Sequence, residues 1–375
     1  MIYLDNAATT KPSKDAINKA TIFNEEEYFN PSALYRGGLA VNRQIKEAKQ
    51  TIISALSANP DKFDVVFTSC GSESDNTAVF CVKKRGLFVT TKGEHSAIYQ
   101  SFLELKNRGV DIYLVELNAD GTVNVDSLLD FIKVNKVDFV SIVHVNNETG
   151  GINDVNYIAK EVKKINPSII FHSDGVQAFG KIRYSISDDI DLYSISAHKI
   201  NGIKGVGALI KKKRLNVSPL IFGGGQEGGL RSGTENVFGI KVFQFVTQDK
   251  KENLEENIKK VANLRQVLLD NLDLNLFKVI SGDNSSPYIL MVSAIGLRGE
   301  VLMHLLEDEG VILGNGSACS SKNRYSRIVK ECGYNNDVLD GLIRISFSPY
   351  NTVEEVLIAT RLLNTKAKIL KGVMK

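Results

Sequence analysis

Between residues 65 and 210 seven short apolar runs, at 65–67, 87–89, 112–115, 139–143, 169–171, 192–195 and 206–210, alternate with helix-length stretches. Runs this short, spaced by segments of helical periodicity, require a mostly parallel sheet covered by helices on both faces. Ligands of such sheets sit outside the carboxyl ends of the strands. The polar clusters of this chain fall at those ends. Thr68-Ser69-Cys70-Gly71-Ser72-Glu73 follows the first run, Glu94-His95 the second and His144-Val145-Asn146-Asn147-Glu148 the fourth. Asp174 and Gln177 leave the fifth, and Ser196-Ala197-His198-Lys199 leaves the sixth.

The flanks read differently. Tyr3 to Thr10 is small-residued and too short for a core element, an arm laid on something larger. Residues 39–56 place Val41, Ile45, Ala48, Ile52 and Ile53 at the spacing of an amphipathic helix. Beyond about residue 247 come a charged helical segment (253–272), strand candidates at 288–292 and 343–347, and a last helix from 353 to about 370. The division expected is a large domain over 15–246 and a smaller α+β domain from 1–14 and 247–375.

A formal charge of +3 on 375 residues gives no warrant for a nucleic-acid or membrane binder, so a small substrate is expected. The start has no basic region followed by an apolar core, and no run approaches a membrane span. Four scattered cysteines without a CxxC pair exclude a disulfide framework and a zinc knuckle, and fit a reducing cytoplasm. The basic run Lys211-Lys212-Lys213-Arg214 reads as a solvated loop, or else as a docking patch for an acidic or RNA partner.

A lysine able to form a Schiff base and an aspartate able to pair with a pyridinium nitrogen are the fixed points of a pyridoxal phosphate site, and Lys199 and Asp174 supply them. The plain alternative for Lys199 is a solvated surface charge beside His198. Gly71 and Ser72, opening a helix expected from Thr77, offer amides and a hydroxyl to a phosphate, with Ser196 and His198 as further donors. His95 at a strand exit can stack on a ring or move a proton. Asn147 can donate to a ring oxygen or a carboxylate. His144 and His172 precede their clusters and read as core residues. Cys319, within Gly314-Asn315-Gly316-Ser317-Ala318-Cys319-Ser320-Ser321, reads as a nucleophile or a bystander thiol; Cys70, Cys81 and Cys332 read as structural. No metal ligand set is seen.

Taken together, Tyr3-Leu4-Asp5-Asn6-Ala7-Ala8-Thr9-Thr10, Glu73-Ser74-Asp75-Asn76, Ser196-Ala197-His198-Lys199, Arg231-Ser232-Gly233-Thr234 and Gly316-Ser317-Ala318-Cys319-Ser320-Ser321 resemble the cysteine desulfurases of the NifS and IscS kind. These are fold-type I pyridoxal phosphate enzymes, and the likeness runs nearly end to end. It implies that Lys199 holds the cofactor, His95 stacks on its ring, Asp174 pairs with the ring nitrogen and Gln177 bonds the phenolic oxygen. Gly71, Ser72, Ser196 and His198 would hold the phosphate with Thr234 from the other subunit of a homodimer, and Arg344 with Asn147 would take the substrate carboxylate. L-cysteine would yield L-alanine, with the sulfur passing to Cys319 as a persulfide and then to an iron-sulfur scaffold or a tRNA-thiolating enzyme. A selenocysteine lyase or another lyase or aminotransferase of the same family is the alternative. Among the departures, Cys70 stands where the family often has Gly and Gly175 where it often has Ala.

Overall fold

The computed structural model describes residues 1–82, 86–315 and 325–373. Its strands are β1 (Ile2–Tyr3), β2 (Phe63–Thr68), β3 (Leu87–Thr91), β4 (Ile112–Val115), β5 (Val137–Val143), β6 (Ile170–Asp174), β7 (Leu192–Ser196), β8 (Gly207–Lys212), β9 (Phe277–Val279), β10 (Ile289–Ala294), β11 (Val311–Ile312) and β12 (Leu342–Ser346). Seven of them form one sheet in the order β2-β8-β7-β6-β5-β3-β4. Only β8 runs against the others. Each apolar run of the sequence supplies one of these strands, and the doubly covered α/β layer expected from them is the fold.

Burial on both sides explains why the strands read as continuous apolar runs. All residues of β6 and β7 are buried. One face packs on the helices Arg36–Ala55, Val155–Ile165 and Val237–Glu252. The opposite face carries helices Gly71–Phe80 and Ser96–Asn107, where Phe88, Phe102 and Phe139 meet ring to ring. Local chemistry agrees with these elements. Helix Val155–Ile165 is opened by the Asp154 carboxylate accepting from Tyr157 N, buries Val155, Ile158, Ala159 and Val162, and ends on Lys163 and Lys164.

Further along, β9, β10 and β12 form an antiparallel sheet against helices Leu254–Asn271, Gly299–Glu307 and Val353–Val373, with a core of its own. The N-terminal arm belongs to it: β1 pairs in parallel with β11, and Leu4 and Ala7 lie in this core. The helix Val237–Glu252 runs past residue 246 and is packed on the large sheet's side as far as Val246.

Two readings are corrected. Helix Gly71–Phe80 begins at Gly71 rather than Thr77, so the Gly-Ser stretch is the first helical turn and not a loop before it. The basic run is neither a solvated loop nor a docking patch over its first half. Lys211 and Lys212 are buried in β8, where Lys212 Nζ meets the Asp191 carboxylate at 2.8 Å and Lys211 Nζ donates to Lys212 O.

Candidate active site

The carboxyl ends of β2, β5, β6 and β7 converge on one cleft. Gly71, Ser72, His95, Asn147, Asp174, Gln177, Ser196, His198, Lys199 and Arg344 all line it. The large sheet aligns the strand exits that carry most of these residues, and Arg344 joins them from β12 of the smaller sheet. Thr234 is exposed and lines a different cleft with Ser69 and Arg231. Cys319 lies outside the described residues.

Lys199 leaves β7 through a single 3-10 turn, Ala197–Lys199, and its Nζ donates to Ala7 O at 2.7 Å and Ala8 O at 2.8 Å. The N-terminal arm therefore forms one wall of the cleft. Gln177 Nε2 also donates to Ala7 O, at 2.8 Å, while its Oε1 accepts from the buried Lys181 Nζ. The amide expected on the cofactor's phenolic oxygen is held here on the arm.

Asp174 ends β6 with its Oδ1 accepting from Val176 N at 2.9 Å. Burial pushes its carboxyl up to about 6, against the pull of that hydrogen bond and of the Lys199 charge. Asp75 and His95 offer ligand-type atoms within 4.8 Å of Asp174. Asp75 is held well above the usual carboxylate range, first by burial and then by the Asp174 charge. At His95, burial and then the Lys199 charge drive the ring down to about 4, so it is neutral at neutral pH. Its Nδ1 accepts from Ala97 N at 3.2 Å as the cap of helix Ser96–Asn107, which leaves the ring proton on Nε2.

The end expected to take a phosphate has three open features. Cys70 caps helix Gly71–Phe80 without a side-chain hydrogen bond, so the first-turn amides keep their donors. A Cβ on Gly71 would lie 2.9 Å from Val176 Cγ2, so the close approach there needs glycine. Ser196 Oγ is buried and has no partner among the described residues. Burial lowers His198 to about 4, and its Nδ1 contacts Thr9 Oγ1.

His172 and His144 are core residues, as their positions implied. The His172 nitrogens meet Ser141 Oγ and Ser194 Oγ at 2.8 and 3.0 Å, directly behind Asp75 and Asp174. His144 Nδ1 meets Tyr193 Oη at 2.8 Å. That phenol also accounts for Gly175, where a Cβ would fall 2.2 Å from Tyr193 Oη. Cys81 and Cys332 are buried, with thiols pushed up to about 11 and about 12 by desolvation. Cys70 differs from them: it is half-buried and lines the cleft.

Several groups escaped sequence reasoning. Asp75 and Cys70 line the cleft, and Glu94 and Glu148 lie buried beside it. Glu94 is held by Thr91 Oγ1 and Val143 N, yet burial still raises it to about 8; Glu148, meeting Ser326 Oγ, is raised to about 7. A signal for Glu94 exists in its place next to His95 at a strand exit.

The raised Glu94 carboxyl fixes the sign of its own pH effect. A carboxyl raised in the folded state keeps a proton that the unfolded chain releases, so its contribution is lost as pH rises from its unfolded value through its folded one. Depressed histidines act oppositely, but their effect is complete above about 6.5, the unperturbed value. The buried amine of Lys181, held well below its usual range by desolvation, acts oppositely through the same window. From pH 6.5 to 8.5 Glu94 should take ~2 kcal/mol from the unfolding free energy in urea. The stability difference between wild type and Glu94→Gln should shift by that amount across the window; an unchanged difference would overturn the raised state of this carboxyl.

The profile of the Aminotransferase class-V family matches residues 2–358. A cysteine desulfurase IscS of Clostridium botulinum is 34% identical over 367 residues, covering 95% of this chain and 91% of that protein. Among solved structures, a NifS-like protein superposes with a TM-score of 0.89 at 33% identity over 99% of both chains. SspA in complex with cysteine does so with a TM-score of 0.80 at 27% identity, over 94% of this chain and 100% of that one. On this profile, identity and coverage the chain belongs to the class-V aminotransferases, among the cysteine desulfurases of the NifS and IscS kind.

Proposed function

We propose that this desulfurase works on pyridoxal phosphate held in the cleft around Lys199, releasing L-alanine from L-cysteine and loading the sulfur on Cys319. The observation that carries the cofactor is the joint lining of one cleft. A lysine amine and a buried carboxylate line it together with Ser196 Oγ, which has no partner among the described residues, and the open first turn at Gly71 and Ser72. The donor set fits the group: a buried Asp174, raised to about 6 despite the Lys199 charge, has no ion pair among the described residues and suits a protonated ring nitrogen, and Ser196 Oγ, without a partner among those residues, suits a phosphate oxygen. When bound, pyridoxal phosphate supplies the electron sink that makes an amino acid's alpha proton removable.

The chain's own groups do the rest. Lys199 Nζ attaches the cofactor and, once released, takes the alpha proton. Asp174 holds the ring-nitrogen proton, and neutral His95 presents Nε2–H beside the ring. Gly71, Ser72, Ser196 and His198 bind phosphate, and Gln177 serves the phenolic oxygen once its amide leaves Ala7 O. Arg344 and Asn147 orient the substrate carboxylate, a charge-assisted contact. The Cys319 thiolate attacks the substrate sulfur, whose bond to the substrate's beta carbon breaks with its electron pair left on the carbon fragment; that fragment takes up a proton and leaves as L-alanine.

Thr234 is exposed and lines a separate cleft, which supports a homodimer in which it reaches the partner's phosphate. Free Cys70, Cys81 and Cys332 support a cytoplasmic enzyme. No helix among the described residues is long and apolar enough to cross a membrane. The acceptor fits the class of an iron-sulfur scaffold or a tRNA-thiolating protein.

The test is alanine formed from L-cysteine by purified protein with pyridoxal phosphate and a reductant, beside Cys319→Ser. Wild type should form alanine and sulfide, and the variant should fall by about 10²-fold or more, the scale of a lost nucleophile or acid-base group. Equal rates would remove Cys319 from the reaction.

A further inference from the structure

Arg344 is buried on β12, and its guanidinium is already engaged. Nη1 donates to Asn147 O at 2.8 Å and Nη2 to Asp5 Oδ1 at 2.9 Å. Nε is buried and has no partner among the described residues. Asp5 is the one anion in an ion pair with Arg344 among those residues.

The arm that delivers Asp5 is fixed on both sides. Leu4 N donates to Ile312 O and Leu4 O accepts from Ser346 N, while Tyr3 Oη donates to Asp5 O and Thr9 O. Gly314 closes the space behind the pair: a Cβ there would lie 2.4 Å from Asp5 Oδ1 and 3.1 Å from Arg344 Nη2. The backbone thus packs against the pair with no room for a side chain at position 314. The same arm carries the Ala7 and Ala8 carbonyls that hold Lys199 Nζ.

We propose that Asp5 is a positioning residue that aims Arg344 at the substrate carboxylate and, as a second anion on the same guanidinium, limits how tightly any amino-acid carboxylate is held. The inference rests on the reading that Arg344 binds that carboxylate. Two consequences follow from the geometry. Before substrate arrives, the pair keeps a buried cation compensated and its side chain ordered. When a carboxylate binds the face of Arg344 that lines the cleft, it shares the guanidinium with Asp5 across a few ångströms of protein, and the repulsion favours release. L-alanine, the product, carries the same carboxylate as L-cysteine and no thiol for Cys319, so this repulsion acts on its departure.

Binding of L-alanine to the cofactor-loaded protein, read by calorimetry, tests the idea with wild type, Asp5→Asn and Arg344→Gln. Asn keeps an acceptor for Nη2 and removes the charge. Its affinity for L-alanine should rise about tenfold, the effect of one like charge removed at the effective dielectric of a protein, with KM for L-cysteine falling alongside. Ethylamine, which lacks the carboxylate, should bind wild type and Asp5→Asn alike. Equal or weaker L-alanine binding in Asp5→Asn, with Arg344→Gln impaired, overturns the role of Asp5 and leaves that of Arg344 standing. Unimpaired L-alanine binding in Arg344→Gln overturns both. Asp5→Ser provides the same comparison should the Asn variant fail to fold.

Discussion

Lys199→Ala is expected to lower alanine formation from L-cysteine by about 10³-fold or more, because in the proposed mechanism it removes both the cofactor's attachment and a base whose loss alone costs about 10²–10⁴. The fold should survive. The Ala7 carbonyl that Lys199 serves also accepts from Gln177 Nε2, and Lys199 is only part-buried, so truncation leaves that carbonyl a donor and opens no deep void. Borohydride treatment followed by denaturation and mass measurement reads the attachment directly: wild type keeps the cofactor mass and the variant does not. Retained mass in the variant would transfer the linkage to another amine, with Lys181 the first to examine, since it is buried and bonded to Gln177 Oε1.

Much of this site was legible because its residues leave consecutive strands. Apolar runs predicted the strands, and the rule that ligands sit at strand exits singled out His95, Asn147, Asp174 and Lys199 without knowledge of strand order. What was not legible depends on partners remote in sequence. Lys211 and Lys212 look solvated until β8 is set between β2 and β7, where Asp191 meets Lys212. Asp5 is separated from Arg344 by 339 positions, and only the pairing of the arm with the small lobe unites them. Buried Glu94 and Glu148 have the same composition signal as any surface glutamate. The early start of helix Gly71–Phe80 runs against the low helix propensity of Gly, Ser and Asn, and tertiary packing decides it: Ser74, Asp75, Thr77, Ala78 and Val79 are buried there.

The second large effect is expected at Asp174. Two carboxylates, Asp75 and Asp174, lie buried in the same cleft, and burial disfavours charge on both. Asp174 has the stronger compensation: Val176 N donates to it and the Lys199 charge acts on it, while Asp75 Oδ1 has no hydrogen-bond partner among the described residues and only the Ser194 hydroxyl favours the Asp75 anion. Charge therefore settles on Asp174, and its repulsion keeps Asp75 protonated. In Asp174→Asn the amide oxygen can still accept from Val176 N, which turns an N–H donor toward the ring nitrogen in place of an anion. A proton on that nitrogen then loses its acceptor and its counter-charge. Alanine formation should fall by about 10²–10³-fold, the scale found when one preorganised electrostatic contact is removed, and cofactor affinity should weaken with it. Relieved of the neighbouring charge, Asp75 should titrate lower, which carboxyl infrared bands would follow. Asp75→Asn is the comparison that decides the assignment: activity should survive it far better than Asp174→Asn, and the reverse order would place the ring's counter-charge on Asp75 instead.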